Sequence, residues 1–259
     1  MKFWPIGRFL NWLSRQPPFH AIFGSFFGKK HNHAIIIPVH QVVQGTESVV
    51  LPRLLLSPLV EMASDRYILD QCVCRQAERC QNFPLDIGCL FLGKGAARIH
   101  PSLGRTVSPA EAKAHIDRAI SAGLVPLIVH TAFDAYMLGI PFDQMLAVCF
   151  CCDCCCTVRS GLRMGPPAFW DAVERLPGLS VLVNEDCMGC GACVDVCHVH
   201  AISLTSGTAV INDLCKGCGR CSEACSAGAI QVNIQDISGM SEFVRRRIEQ
   251  RTDIAGNRS

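Results

Sequence analysis

Two runs of four cysteines stand one behind the other near the C-terminus: Cys187, Cys190, Cys193 and Cys197, then Cys215, Cys218, Cys221 and Cys225. Both follow the spacing C-x-x-C-x-x-C-x-x-x-C. Three closely spaced thiols can wrap one tight loop around three corners of an iron–sulfur cubane, where each iron takes one thiolate. The fourth ligand must then come from elsewhere. The pattern is duplicated, because DCMGCGAC at 186–193 recurs as LCKGCGRC at 214–221, a shift of 28 positions. Each run is followed by an Ala-Ile pair, Ala201-Ile202 and Ala229-Ile230. Glycines between the cysteines let the backbone turn sharply and aim its N–H groups at cluster sulfurs. A zinc site usually pairs two CxxC knuckles across a longer gap, and a disulfide framework belongs to small exported chains. Iron–sulfur chemistry is the expectation.

On these residues the segment 178–235 resembles a bacterial-type ferredoxin with two [4Fe-4S] clusters. In that family the last cysteine of each run crosses to the other cluster. The resemblance therefore implies Cys187, Cys190, Cys193 and Cys225 for one cluster, and Cys215, Cys218, Cys221 and Cys197 for the other. The family usually carries proline after each fourth cysteine, where this chain has His198 and Ser226. That leaves the ligand count intact and alters the polarity beside each cluster.

Of eighteen cysteines, ten lie outside the two runs. They form two groups, Cys72, Cys74, Cys80 and Cys89, then Cys149, Cys151, Cys152, Cys154, Cys155 and Cys156. Adjacent cysteines point apart on an extended chain, so the second group cannot give all six thiolates to a single cubane. It suits a non-standard cluster, two neighbouring clusters, or one cluster plus reactive thiols. Cysteine also fills cores as a small apolar side chain. The expectation is that the first group faces the second and builds at least one further iron–sulfur cluster. The arrangement is similar to a group of prokaryotic ferredoxin-like proteins that pair a CxCR…C…DxGC…LG segment with a CxCCxCCC run ahead of a dicluster module. The matching stretches here are Cys72 to Gly95 and Cys149 to Cys156, with Phe150 where asparagine is common in that pattern.

Positioning these thiols requires two kinds of framework, and the expected fold class is α+β. A ferredoxin-like dicluster module at 178–235 should follow a larger mixed α/β cysteine-rich domain at 34–177. An aromatic and basic segment precedes them at 1–33, and a basic helix and tail follow at 236–259. Residues 1–33 carry Phe3, Trp4, Phe9, Trp12 and Phe19 among Lys2, Arg8 and Arg15, broken by Pro17-Pro18. Such a segment suits short helices packed on the main body, or a peripheral contact with a membrane surface. Ile35 to Val39 and Val49 to Leu51 read as extended. Ser57-Pro58 predicts a helix start running to about Leu69, which would deliver the chain into Cys72. Ser108-Pro109-Ala110-Glu111 is a capping box for a helix burying Ala112, Ile116, Ala119 and Ile120. Leu124 to Val129 reads as a buried strand, Pro167 as the start of a helix through Leu176, Ser180 to Val183 as a strand, and Ser241 as the cap of the last helix.

Composition narrows the function. A net charge of +2 with no dominant basic stripe argues against nucleic acid as partner. Residues 178–235 lean acidic, through Glu185, Asp186, Asp195, Asp213 and Glu223, which suits a basic redox partner and equally describes a solvated surface. No apolar stretch is long enough for a transmembrane helix, and no secretory signal is evident. So many thiols without an export signal point to a reducing cytoplasm and an oxygen-poor, anaerobic setting. Residues 88–95 approach a Walker A loop but end in Gly95, which has no hydroxyl for magnesium. No CxxxCxxC triplet and no Rossmann fingerprint occur. His198, His200, Asp86 and Asp153 stand near cysteines and could tune a cluster, or serve only as surface and turn residues. The expected function is electron transfer, as a low-potential carrier or an electron-input subunit for a redox protein partner. The alternative is an oxidoreductase whose N-terminal centre reduces a small substrate or disulfide, with the ferredoxin module as wire. No residue is assigned a catalytic role.

Overall fold

A computed structural model describes residues 28–39, 42–43, 49–159, 167–197 and 199–257, with five isolated positions nearer the N-terminus. Most of the aromatic and basic segment expected at 1–33 therefore lies outside the described residues, as does His198.

Residues 32–151 lay down strands β1 (Asn32–Ile36), β2 (Val42–Val43), β3 (Val49–Val50), β4 (Arg66–Leu69), β5 (Leu90–Leu92), β6 (Gly104–Thr106), β7 (Val125–Thr131) and β8 (Leu146–Cys151), and β9 (Val173–Glu174) follows. Seven of them form one sheet in the order β6-β4-β5-β8-β7-β1-β9, while β2 and β3 pair as a separate hairpin. Every neighbouring pair in the large sheet is antiparallel except β1 with β9. Its inner strands are apolar on both faces, and all of Asn32–Ile36 and all but the last residue of Val125–Thr131 are buried. Two-sided burial requires cover on both faces.

Among the helices, α1 (Leu51–Met62), α2 (Val73–Ala77), α3 (Pro109–Ser121), α4 (Ala132–Leu138) and α5 (Pro167–Ala172) belong to this body. The capping box of α3 is present, with Glu111 N donating to Ser108 Oγ at 3.3 Å and Ser108 N donating to the Glu111 carboxylate at 2.8 Å. Its buried face is Ala112, His115, Ile116, Ala119 and Ile120. Helix α1 departs from the expectation at both ends. Its stripe of Leu51, Leu55, Leu56, Leu59 and Val60 is buried, and this face carries the helix straight through Pro58. The helix stops at Met62, and Arg66–Leu69 is a strand paired on both sides, with β5 and with β6.

The second unit is smaller. Strands β10 (Leu179–Val183) and β13 (Ile230–Ile234) pair antiparallel, as do β11 (Ile202–Thr205) and β12 (Thr208–Ile211), with short helices α6 (Ala192–Asp195) and α7 (Arg220–Ala224) against them. The chain then returns to the large body through α8 (Ile237–Glu249). Asp236 caps α8 by accepting from Gly239 N at 2.8 Å, one turn earlier than the expected Ser241. Met240, Val244 and Ile248 are buried in the large core. The expected helix from Pro167 is shorter than its pattern, because Val173 and Glu174 leave it to pair with Ala34 and Ile35.

Three buried histidines stiffen this body. His115 Nε2 hydrogen bonds to Gly88 O at 2.9 Å and His130 Nε2 to Phe142 O at 2.6 Å, while His33 sits 3.2 Å from the Glu174 carboxylate. Burial holds all three imidazoles below their ordinary value of 6.5. The unfolded chain thus binds more protons, and stability should be full above 6.5 and fall as the pH drops toward the folded values. Urea midpoints of the full chain are expected to be lower at about pH 5.5 than at about pH 7.5. A midpoint that rises on acidification would mean that these histidines charge freely inside the fold.

Candidate metal centres

The two ferredoxin-type loops are built alike. Gly191 and Gly219 share one left-handed conformation, φ 83° and ψ −8°, and each starts the short helix that carries the third cysteine of its run. A side chain in that conformation would be strained. Two cavities open beside the loops. One is lined by Cys187, Cys190, Cys193 and Cys225, the other by Cys215, Cys218, Cys221 and Cys197. Each cavity thus meets three cysteines of one run and the fourth of the other. Backbone amides point at the sulfurs: Ala209 N donates to Cys187 Sγ at 3.4 Å and Ala201 N to Cys197 Sγ at 3.3 Å. The hydrogen bonds from Ala209 and Gly189 draw the Cys187 thiol down, whereas burial pushes Cys221 up to about 12. No three of these eight sulfurs lie within 4.8 Å of one another. A donor set of eight thiols, spread in two fours around two cavities and met by backbone N–H groups, fits a pair of cubanes.

The two cavities differ in their surroundings. Among the described residues the first has no charged side chain in its lining, and its loop is open to solvent at Cys190 and at Met188, which is 71% exposed. The second is walled by Ile36, Val125 and Leu127 of the large sheet and carries Arg159, Lys216 and Arg220. It therefore lies at the junction of the two units. Val39 N donates to Cys218 O at 3.2 Å, Lys216 Nζ to Trp170 O at 2.8 Å and Arg220 Nη2 to Gly123 O at 2.6 Å. Arg159 is 4% exposed, and among the described residues neither Nη1 nor Nη2 has a hydrogen-bond partner. A buried guanidinium without a partner is costly unless an anion completes its surroundings.

The other ten cysteines gather around β8 and the turn that follows it. Antiparallel pairing sets Leu90 opposite Val148, which brings Cys89 to Cys149 with their sulfurs 3.3 Å apart. The chain leaves β8 into a turn that carries Cys152, Cys154 and Cys155, and Cys80 approaches it from the loop after α2. Cys80, Cys152, Cys154 and Cys155 place their sulfurs within 4.8 Å of one another. A separate set lies deeper. Cys151 and Cys156 have sulfurs 2.7 Å apart, Cys74 Sγ lies 3.1 Å from Thr157 Oγ1, and Cys72 hydrogen bonds with Cys74. The Cys74 contact draws the Cys72 thiol down to about 6, and the same contact, with burial, pushes Cys74 up. Both expected groups thus meet, and they sort into three sets. Gly88 to Gly95, set aside above as a phosphate loop, contains the inner strand β5.

Arg75 holds this arrangement. It is fully buried, and its guanidinium donates to Pro84 O at 2.8 Å, to Phe150 O at 2.8 Å and to Ile87 O. One side chain thereby ties α2 to the 84–87 loop and to β8. Its positive charge acts on the Cys72 thiol. The sequence pattern singled out Arg75 only as part of a motif, and it gave no reason to notice Arg159, a lone basic residue three places after the last cysteine of its run.

Residues 186–229 match the family described as a 4Fe-4S dicluster domain. Over 34 residues the chain is 56% identical to Ferredoxin-2 of Desulfomicrobium norvegicum. That match takes in 13% of this chain and 58% of the ferredoxin, so the chain spans little more than half the length of the curated relative it matches. The C-terminal part of the chain carries an iron–sulfur domain of the ferredoxin dicluster kind. The family match leaves residues 1–185 outside it. Among the described residues no helix is long and apolar enough to cross a membrane.

Proposed function

We propose that this chain is an iron–sulfur electron-transfer protein holding two [4Fe-4S] clusters, one on Cys187, Cys190, Cys193 and Cys225, the other on Cys215, Cys218, Cys221 and Cys197. The observation that carries the reading is the composition of the two cavities, each lined by three cysteines of one run and the last of the other. Bound clusters supply one-electron storage at low potential. The protein's part is binding, insulation and charge. Val196, Val199 and Ile202 keep water from the second site, while Arg159, Lys216 and Arg220 favour added negative charge there. The first site, open at Cys190 and Met188, is the face for a redox protein partner.

The burial of the second site at the junction favours a particular version of this role, in which electrons pass from the ferredoxin module into the large domain. There at least one further iron–sulfur cluster draws on both cysteine groups, with Cys72, Cys74, Cys151 and Cys156 as its ligands in two close pairs, Cys151 with Cys156 and Cys72 with Cys74, as a two-iron cluster with two thiolates on each iron would take them. The chain then serves as an electron-input subunit, or as an oxidoreductase whose large domain reduces a small substrate or disulfide.

The crossed ligation can be tested by comparing variants. Cys190→Ser and Cys225→Ser are expected to alter the same component of the reduced EPR spectrum, and Cys218→Ser and Cys197→Ser the other. If Cys225→Ser instead behaves like Cys218→Ser, each run serves its own cluster and the assignment is wrong.

A further inference from the structure

We propose that Cys80, Cys152, Cys154 and Cys155 hold a single tetrahedral divalent ion, zinc or iron(II), separate from every iron–sulfur cluster of the chain. The spacing of the sulfurs carries this. A metal–sulfur bond of about 2.3 Å in a regular tetrahedron sets its sulfurs ~3.8 Å apart. In this quartet Cys80 and Cys154 are 3.5 Å apart, Cys154 and Cys155 are 3.5 Å apart, and all four lie within 4.8 Å of one another. A cubane puts four irons between its ligands and needs a wider shell. The eight ferredoxin cysteines supply the comparison within the same chain, because no three of their sulfurs come so close.

The local backbone supports the same reading. Cys155 N donates to Cys152 Sγ at 3.2 Å, and the amides of Asn82 and Phe83 hydrogen bond to the Cys80 sulfur. Amides aimed at sulfur stabilise thiolates in closed metal sites. Cys154 is exposed, which gives the ion a way in, while Cys152 and Cys80 are buried. On binding, the four thiols release their protons to solvent and no electron moves. Four thiolates close the coordination shell, so the ion pins the loop after α2 to the turn after β8. The inference relies on the proposed function only in leaving Cys72, Cys74, Cys151 and Cys156 for the N-terminal cluster.

Acid-labile sulfide separates the two kinds of centre, since a single ion brings none. The full-length chain, purified without oxygen, is expected to hold about one zinc, or about one iron in excess of its sulfide. Cys154→Ser should lose that ion and keep its sulfide and its ferredoxin EPR signals, and Cys80→Ser should do the same. Loss of about four sulfides with the metal in Cys154→Ser would show a cubane at this place and overturn the proposal. So would a wild-type chain with no zinc and with iron equal to sulfide, or two variants that lose no metal. Cys74→Ser should lose sulfide and keep the single ion. If it keeps its sulfide, the N-terminal cluster fails while the single ion is still decided by the Cys154→Ser and Cys80→Ser variants.

Discussion

Arg75→Met is expected to be the most damaging substitution outside the cysteines, lowering the apparent melting temperature of the full chain by about 10 °C. The side chain is fully buried and satisfies the carbonyls of Pro84, Ile87 and Phe150. Methionine fills much of the volume and donates nothing. Each carbonyl left unpaired costs about 1–3 kcal/mol, so the loss of three such bonds is expected to cost at least about 3 kcal/mol. Arg75→Lys should recover little, because an ammonium cannot reach three carbonyls set in a fork. Thermal unfolding followed by circular dichroism checks this. The iron signals of the ferredoxin module should survive in both variants at low temperature, since Arg75 touches none of its cysteines. A melting temperature within a degree or two of wild type would show that the 84–87 loop and β8 hold together without it.

The second large effect is on potential. Arg159 lines the cavity of Cys197, Cys215, Cys218 and Cys221, and among the described residues both its terminal nitrogens lack hydrogen-bond partners. Its charge also acts on Cys151 and Cys156 of the large domain. Removing it takes a buried positive charge from beside a site that gains an electron on reduction. Arg159→Met is therefore expected to lower the potential of the second cluster by at least ~60 mV, a tenfold shift for one electron. The cluster of the first run should keep its potential, because Arg159 lines the other cavity and, among the described residues, no charged residue lines this one. Redox titration followed by EPR reads the two separately. Equal shifts in both clusters, or none, would remove Arg159 from the electron path.

The sequence made the chemistry of the ferredoxin module legible because its ligand spacing is local. Three cysteines on one loop and a glycine before each short helix are written within eight consecutive residues. The cap of α3 was legible for the same reason, since Ser108 and Glu111 satisfy each other. What escaped was set by distant partners. Arg66–Leu69 could be read as the end of a helix until β5 and β6 are seen on either side of it. Val173 and Glu174 leave their helix for a strand more than a hundred residues earlier. The grouping of ten cysteines into sets was closed to sequence reasoning, because it depends on the register between β5 and β8 and on the turn that follows. The same holds for Arg75, whose partner Phe150 is 75 positions away.

The central claim is that the eight C-terminal thiols hold two clusters. The most direct measurement is iron and acid-labile sulfide per full-length chain purified without oxygen. At least about eight of each are expected, with the reduced EPR spectrum of two interacting clusters. About four of each, or zinc in their place, would contradict it.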